Sequence, residues 1–570
     1  MNISSSSSGS PRSGAPAQQD AQAQAQTTNL PQLAGPSPLT AQGTNMPTRQ
    51  PARRDEPASP TLRWYRRTSA GGIDAPAAPA IPSGPKNQAE PLLFKLIRER
   101  NYPEMRHHLE TGDPNVSLPN GATPLMAAAK RSKHRAIHLL LAHPDLDINA
   151  HTTSGLTALH AAAAMGDLAA LTMIANAPGI NINARKNGDA SSTALHMVAL
   201  AGDVEKAEVL LRIPQTDINA ITRQDSSALH LAVMREHLPV VEALLRRPGI
   251  AVNSHMDASA KRVTPLHIAA MNGQTAMVQG LINAPGIDLR AVCDGQLNAL
   301  HIAARAGHAS ISERLLDADS QLLDTRTDEG MTALMLASIS GNTNVMDSLL
   351  ARPGIDINAV NGTQRSALLL AVANTKSQAV TKLLAVPGVD VNLTDIEGNT
   401  ALSVASRNGN LTILVDMLLH PGIDINAPVT EDAQTVLHAA VQRDDVRVVQ
   451  VLMSAPSINL NAEGNGGITP LHLAAHFSPR SLAVLINHGS ARINHPTETG
   501  ATALHFAALV GSVDATMHLL RMPDIDPGLR MDDDLTALDV ARSHHHTAIE
   551  ELLQETMGGG DESENVRPNR

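Results

Sequence analysis

The tetrapeptide Thr-Ala-Leu-His, intact or in a near relative, returns along this chain every 33 to 37 residues, opening at Thr123, Thr157, Thr193, Ser227, Thr264, Asn298, Thr332, Ser366, Thr400, Thr435, Thr469, Thr502 and Thr536. A unit of that length is too short to bury its own apolar face, so each copy must stack on its neighbours, and the thirteen copies together describe a solenoid. Such an array grows by lengthening rather than by enlarging one core. The 570 residues are therefore expected to form one long domain instead of several globular ones.

Within a unit the second copy serves as the guide. Gly155 closes a turn, Thr157 is placed to cap a helix, and Leu159 to Met165 supplies a short Ala-rich helix ending at Gly166. Leu168, Leu171, Ile174 and Ala175 give the apolar face of a second helix, which Pro178-Gly179 stops because proline cannot continue the hydrogen-bond ladder. Ile180 to Ala184 is expected to run extended into the next turn. Thr157 and His160 fall on one side of the first turn, so hydroxyl and imidazole can hydrogen-bond while the cap satisfies a free backbone N–H. By position the same holds for His196, His230, His267, His301, His438, His472 and His505, which marks these histidines as scaffold. Met126, Met335, Leu369, Ser403 and Asp539 stand in their place elsewhere and are expected to lower local stability.

The units resemble the ankyrin repeat, most clearly in Thr264-Pro265-Leu266-His267-Ile268-Ala269-Ala270 and Thr469-Pro470-Leu471-His472-Leu473-Ala474-Ala475. The resemblance covers about residues 89 to 555 and implies an all-α solenoid in which a helix, a turn and an antiparallel helix are followed by a projecting finger loop. Segments such as Pro353 to Ala359 and Pro421 to Ala427 are one residue longer than the family's usual form, which alters the loop and not the fold. The expected division is a disordered Ser/Pro/Ala/Gln-rich arm over 1–87, an array of about fourteen repeats over 88–556 including a divergent first repeat, and a disordered tail over 557–570.

Only six aromatic residues occur (Trp64, Tyr65, Phe94, Tyr102, Phe477, Phe506), so burial falls to Ala, Leu, Ile, Val and Met. A net charge of −11 without a block of basic residues argues against nucleic acid as partner. The single cysteine, Cys293, excludes an intrachain disulfide framework. No secretory signal and no apolar run long enough to span a membrane are legible. Phosphate-cradling loops, nucleophile elbows and His-Glu-x-x-His are missing, so neither enzyme nor cofactor is expected, and His544-His545-His546 reads as a polar turn rather than a metal site.

Binding candidates lie where the units differ. Two fingers are lengthened and present Arg185, Lys186, Asn187 and Asp189 in one, and His255, Asp257, Lys261 and Arg262 in the other. Positions seven and eight of each unit should line the inner face, and there Arg131, Met234, Arg235, Met271, Arg305, Arg407, Arg443 and Phe477 favour a protein partner carrying acidic groups. Finger charge drifts from basic, with Arg223, to acidic at Asp395, Glu397, Glu431, Asp432, Glu463, Glu498, Asp532, Asp533 and Asp534. The first nineteen residues contain no acidic side chain and are rich in Ser, Gly, Pro, Ala and Gln, a composition similar to the export signal of type III secreted effectors from plant-associated Gram-negative bacteria. That resemblance implies delivery into a host cell and a host protein as partner of a monomeric array. The alternatives are a housekeeping scaffold or inhibitor in the bacterial cytoplasm, and a substrate recruiter for host ubiquitination through an F-box-like pattern in Pro91 to Leu109. Arg63-Trp64-Tyr65-Arg66-Arg67 in the arm is a candidate short linear motif.

Overall fold

The computed structural model describes residues 91–186, 191–256, 262–430 and 432–558. The 1–87 arm, the 63–67 motif, Asn187, Asp189, Asp257, Lys261, Glu431 and all but the start of the 557–570 tail lie outside those residues. Twenty-eight α-helices follow one another in antiparallel pairs, with three short 3-10 turns and no extended strand among the described residues. Counting the pair Leu92–Glu99 and Tyr102–Leu109 as the first repeat, Thr123 opens the second and Thr536 the fourteenth.

Each repeat packs its first helix on the first helices of its neighbours and its second helix on their second helices. Sequence explains why both are short. In the third repeat Thr157 caps Ala158–Met165 through a bond from the His160 amide to its hydroxyl, and Asp167 caps Leu168–Ala175 in the same way. Leu159, Ala162, Ala163, Ala170, Leu171 and Ile174 are all buried, and the alanines let neighbouring helices approach closely. The Pro-Gly pair then ends the unit. Ile180 to Ala184 is not extended as expected, because the Ala184 amide donates to the Asn181 carbonyl and folds the segment into turns. Pairing is confined to isolated bridges at the base of the fingers, such as Thr394 with Thr400 and Arg530 with Thr536.

The first helix pair belongs to the stack. Leu93, Phe94, Leu96 and Ile97 are buried, Met105 and Leu109 join them, and the two helices pack on those of the second repeat. Leu93, Leu96 and Leu109 of the Pro91 to Leu109 segment are thus packed into the array, while Leu92 stays 43% exposed.

Candidate functional site: the inner face and its fingers

The recurring histidine turns out to be a tie between repeats. His160 Nδ1 accepts from the Thr157 amide at 3.2 Å and lies 2.9 Å from its hydroxyl, so the ring proton sits on Nε2, which donates to the Ser192 carbonyl of the next finger at 3.1 Å. His196, His230, His267, His301, His438, His472 and His505 repeat the arrangement onto Ser226, Val263, Ala291, Thr325, Ile468, His495 and Leu535. Burial holds all eight below the usual imidazole range, and His230, His267, His301 and His472 fall to about 4. A neutral ring serving as both acceptor and donor is what the geometry needs.

Two of the substitutes keep half of this role. Asp539 accepts from the Thr536 amide at 3.0 Å and its hydroxyl at 2.6 Å, and these bonds hold its carboxyl below the usual carboxylate range. Met335 offers its sulfur to the Thr332 amide at 3.4 Å. The cap survives in both, and only the reach to the next finger is lost.

A second tie went unrecognised in the sequence. Asn149 Nδ2 donates to the Gly179 carbonyl at 2.8 Å while its Oδ1 accepts from the Asn181 amide at 2.7 Å, a two-bond clasp between consecutive repeats. Asn183, Asn219, Asn392 and Asn426 make the same clasp further along. The repeated Ile-Asn-Ala was the available signal. At Arg290 the clasp is replaced by an ion pair with Asp319, at 2.7 Å.

These bonds sort the candidate residues. Arg131, Met234, Arg235, Met271, Arg305, Arg407, Arg443 and Phe477 all sit at the C-terminal ends of first helices, spread over the second, fifth to seventh and tenth to twelfth repeats. Arg131, Arg235, Arg407 and Arg443 are exposed, Met234, Met271 and Arg305 are half-buried, and Phe477 keeps 47% of its surface open. Burial lowers the Arg305 guanidinium pKa. Arg407 reaches the Asn399 side chain at 3.1 Å. Met165 and Leu200 occupy the same place in intervening repeats and are 54% and 41% exposed. In the lengthened fingers Arg185 and Arg262 are exposed, Lys186 is half-buried, and Arg185 donates to the Ile221 carbonyl of the next finger at 2.7 Å.

One other expectation is corrected. Asp395 is no loop-tip charge: its side chain is 1% exposed, pairs with Arg365 at 3.1 Å and accepts from the Asn399 and Glu397 amides. Burial pushes that carboxyl up, but these bonds outweigh it and hold it low. In the polar turn 544–546, His546 donates to the Leu509 carbonyl of the preceding repeat at 3.2 Å and stacks on His544, so its Nε2 is committed to the scaffold.

Finger tips also join through backbone. The Asn465 amide donates to the Asp432 carbonyl at 2.8 Å, Glu498 to Gly466 at 2.9 Å and Asp532 to Thr499 at 3.0 Å, which sets the tips of the last four fingers in one row.

The chain matches the family model for ankyrin repeats (3 copies) over residues 90–186, 184–256, 266–361, 368–463, 405–496 and 437–531. Among curated proteins it is similar to neurogenic locus notch homolog protein 1 of Mus musculus, 38% identical over 88 residues, which are 15% of this chain and 4% of that protein. It is also similar to neurogenic locus notch homolog protein 2 of Homo sapiens, 39% identical over 85 residues, 15% of this chain and 3% of that one. The match thus spans a small fraction of those relatives' length. The crystal structure of the ankyrin repeat domain of Bcl-3, a member of the IkappaB protein family, aligns with 28% identity and a TM-score of 0.37 over 40% of this chain and 99% of that one. With the family model matched from residue 90 to residue 531 and the helix pairs, caps and fingers in place, the chain belongs to the ankyrin-repeat family, whose arrays are scaffolds for protein–protein interaction.

Proposed function

We propose that this chain is a protein-binding scaffold delivered through a type III apparatus into a host cell, where its inner face holds an acidic segment of a host protein. The observation that carries the binding half is the strip Met165, Leu200, Met234 and Met271, one side chain from the C-terminal end of the first helix in each of four successive repeats, with Met165 one position later in its unit than the other three. Exposed Arg131 and Arg235 flank it, with Arg223 and Arg262 on the facing fingers. Methionine adapts to an irregular apolar partner surface, arginine pairs with carboxylates, and a preformed face limits the ordering entropy of association. The array works as a monomer in this reading, by binding and without cofactor or catalysis. No helix among the described residues is long and apolar enough to cross a membrane. The delivery half leans on the Ser-rich first nineteen residues, which lack any acidic side chain.

Two experiments test the halves separately. A reporter fused to residues 1–87 is expected to enter host cells only from bacteria with a working type III apparatus, and retention in the bacterium removes the delivery claim. Affinity purification from host tissue with the full chain as bait is expected to lose its partner when Met165→Ser and Arg235→Glu are combined. A partner retained at wild-type level by that variant moves the site elsewhere.

A further inference from the structure

A second docking surface of opposite charge lies at the other end of the array. On the twelfth and thirteenth repeats Phe477, Leu509 and Val510 are 47%, 42% and 41% exposed at the C-terminal ends of the first helices, the end that carries the methionines earlier. Phe506 lies beside them half-buried, its ring 5.2 Å from that of His472, and Phe477 sits edge-on to His476 at 4.4 Å. Two of the three phenylalanines in the whole chain therefore lie on adjacent repeats, both against the His476 ring, in a protein that otherwise fills space with aliphatic side chains. A solvent-facing aromatic that core packing does not require marks an interaction surface.

The fingers above that strip differ from those above the methionines. Backbone bonds fix their tips in one row, and the row carries the exposed carboxylates of Asp432, Glu498, Asp532 and Asp533. Glu498, Asp532 and Asp533 form no ion pair among the described residues, so their charge is free to act on a guest. Arg443 borders the strip on its early side, and Arg542, paired with Glu550, closes it on the fourteenth repeat.

We infer that the last four repeats bind a cationic segment with an apolar or aromatic anchor, its Lys or Arg side chains on the carboxylate row and its anchor on Phe477, Leu509 and Val510. Four fingers at the usual 8–10 Å between packed helices give a row of about 27 Å. That length suits roughly eight extended residues or five helical turns. The surface is separate from the methionine strip, so the chain can hold one bipolar partner or two partners of opposite charge.

The test uses the full-length protein and two labelled 18-residue amphipathic peptides of Trp, Leu and Lys or of Trp, Leu and Glu, followed by fluorescence anisotropy. The Lys peptide is expected to bind with a dissociation constant that rises with salt. Combining Glu498→Gln, Asp532→Asn and Asp533→Asn should weaken it at least ten-fold, and Phe477→Ser alone should do so at low and high salt alike. Met165→Ser with Arg235→Glu should leave it unchanged. The proposal is overturned if the Lys peptide binds equally well to the carboxylate and Phe477 variants, or if only the methionine-strip variant loses it. All three variants change exposed side chains, and a thermal melt matching the wild type confirms that each array is folded. Failure of this site would leave the host-partner reading of the methionine strip standing, since the two rest on different residues.

Discussion

At the scale of single residues, the eight buried histidines set the pH response of the fold. Their native pKa values lie below the unfolded value of about 6.5, so the unfolded chain binds protons that the folded chain refuses. Stability is therefore fully present above pH 6.5 and falls as pH drops toward 4, where His230, His267, His301 and His472 titrate in the fold. Each of those four opposes folding by about 3 kcal/mol once the pH is below its native pKa. Urea unfolding monitored by circular dichroism should show the midpoint dropping steadily between pH 6.5 and pH 4, and a flat midpoint across that window would contradict the neutral tautomer. Replacing His267 by Ala should cost about 2–4 kcal/mol, because the Thr264 amide loses its acceptor, the Ala291 carbonyl its donor, and a cavity opens. The position of these rings was legible in the sequence as a Thr-x-x-His cap. Their reach to the next finger was not, since a bond across some 30 residues depends on how repeats stack.

At the scale of elements, the turn between the two helices of a repeat is where neighbouring repeats touch most tightly. Gly202 ends a first helix with φ +76°, and a Cβ there would come within 2.5 Å of the His237 ring of the next repeat. That ring donates to the Leu200 carbonyl at 3.2 Å. Gly202→Ala combines left-handed strain with a clash against a ring that cannot withdraw without breaking its bond, and should cost roughly 2–3 kcal/mol. Hydrogen exchange should report the loss in the fourth and fifth repeats first. A Gly202→Ala protein with unchanged protection there would show that the ring relocates freely. Fingers obey a similar logic. Asn392 clasps the tenth repeat with two bonds at the surface, and Asn392→Ala should lower stability by about 1 kcal/mol, read as a shift in the chemical unfolding midpoint.

At the scale of the whole array, the ties are unevenly distributed. The histidine tie is missing at Met335, Leu369 and Ser403, three consecutive repeats in the middle. Charged contacts link these repeats instead: Arg352 pairs with Asp317 at 2.7 Å, Lys382 with Asp347, Arg365 with Asp395 at 3.1 Å, and the Thr381 hydroxyl donates to Asp416 at 2.7 Å. Repeat arrays are held by a sum of nearest-neighbour interfaces, and partly exposed ion pairs such as Arg352–Asp317 and Lys382–Asp347 contribute little and are screened by salt. The eighth to tenth repeats should therefore exchange faster in 0.5 M salt than in 0.05 M, while the third to sixth, tied by histidine, should change little. Uniform protection across the array at both salts would remove the distinction.

The period, the helix pairs, their caps and the number of repeats could all be read from the chain, because capping, glycine stops and apolar spacing act within one unit. The helix of Leu168 to Ala175 stands where its apolar positions place it, and the first helix begins at Ala158, directly after its Thr157 cap. What varied between units was harder to interpret. Asp395 looked like a free finger charge, yet it is buried against Arg365 of a neighbouring finger, and Arg185 bonds the carbonyl of the next finger, facts that reside in the stacking and in no single repeat. In the same way Phe477 and the row from Asp432 to Asp532 become one surface only when four units are set side by side. Sequence by itself determined that this protein is an ankyrin array, since local chemistry repeats; tertiary structure alone decided which side chains the stack uses and which it leaves to a partner, since that depends on contacts about 34 residues apart.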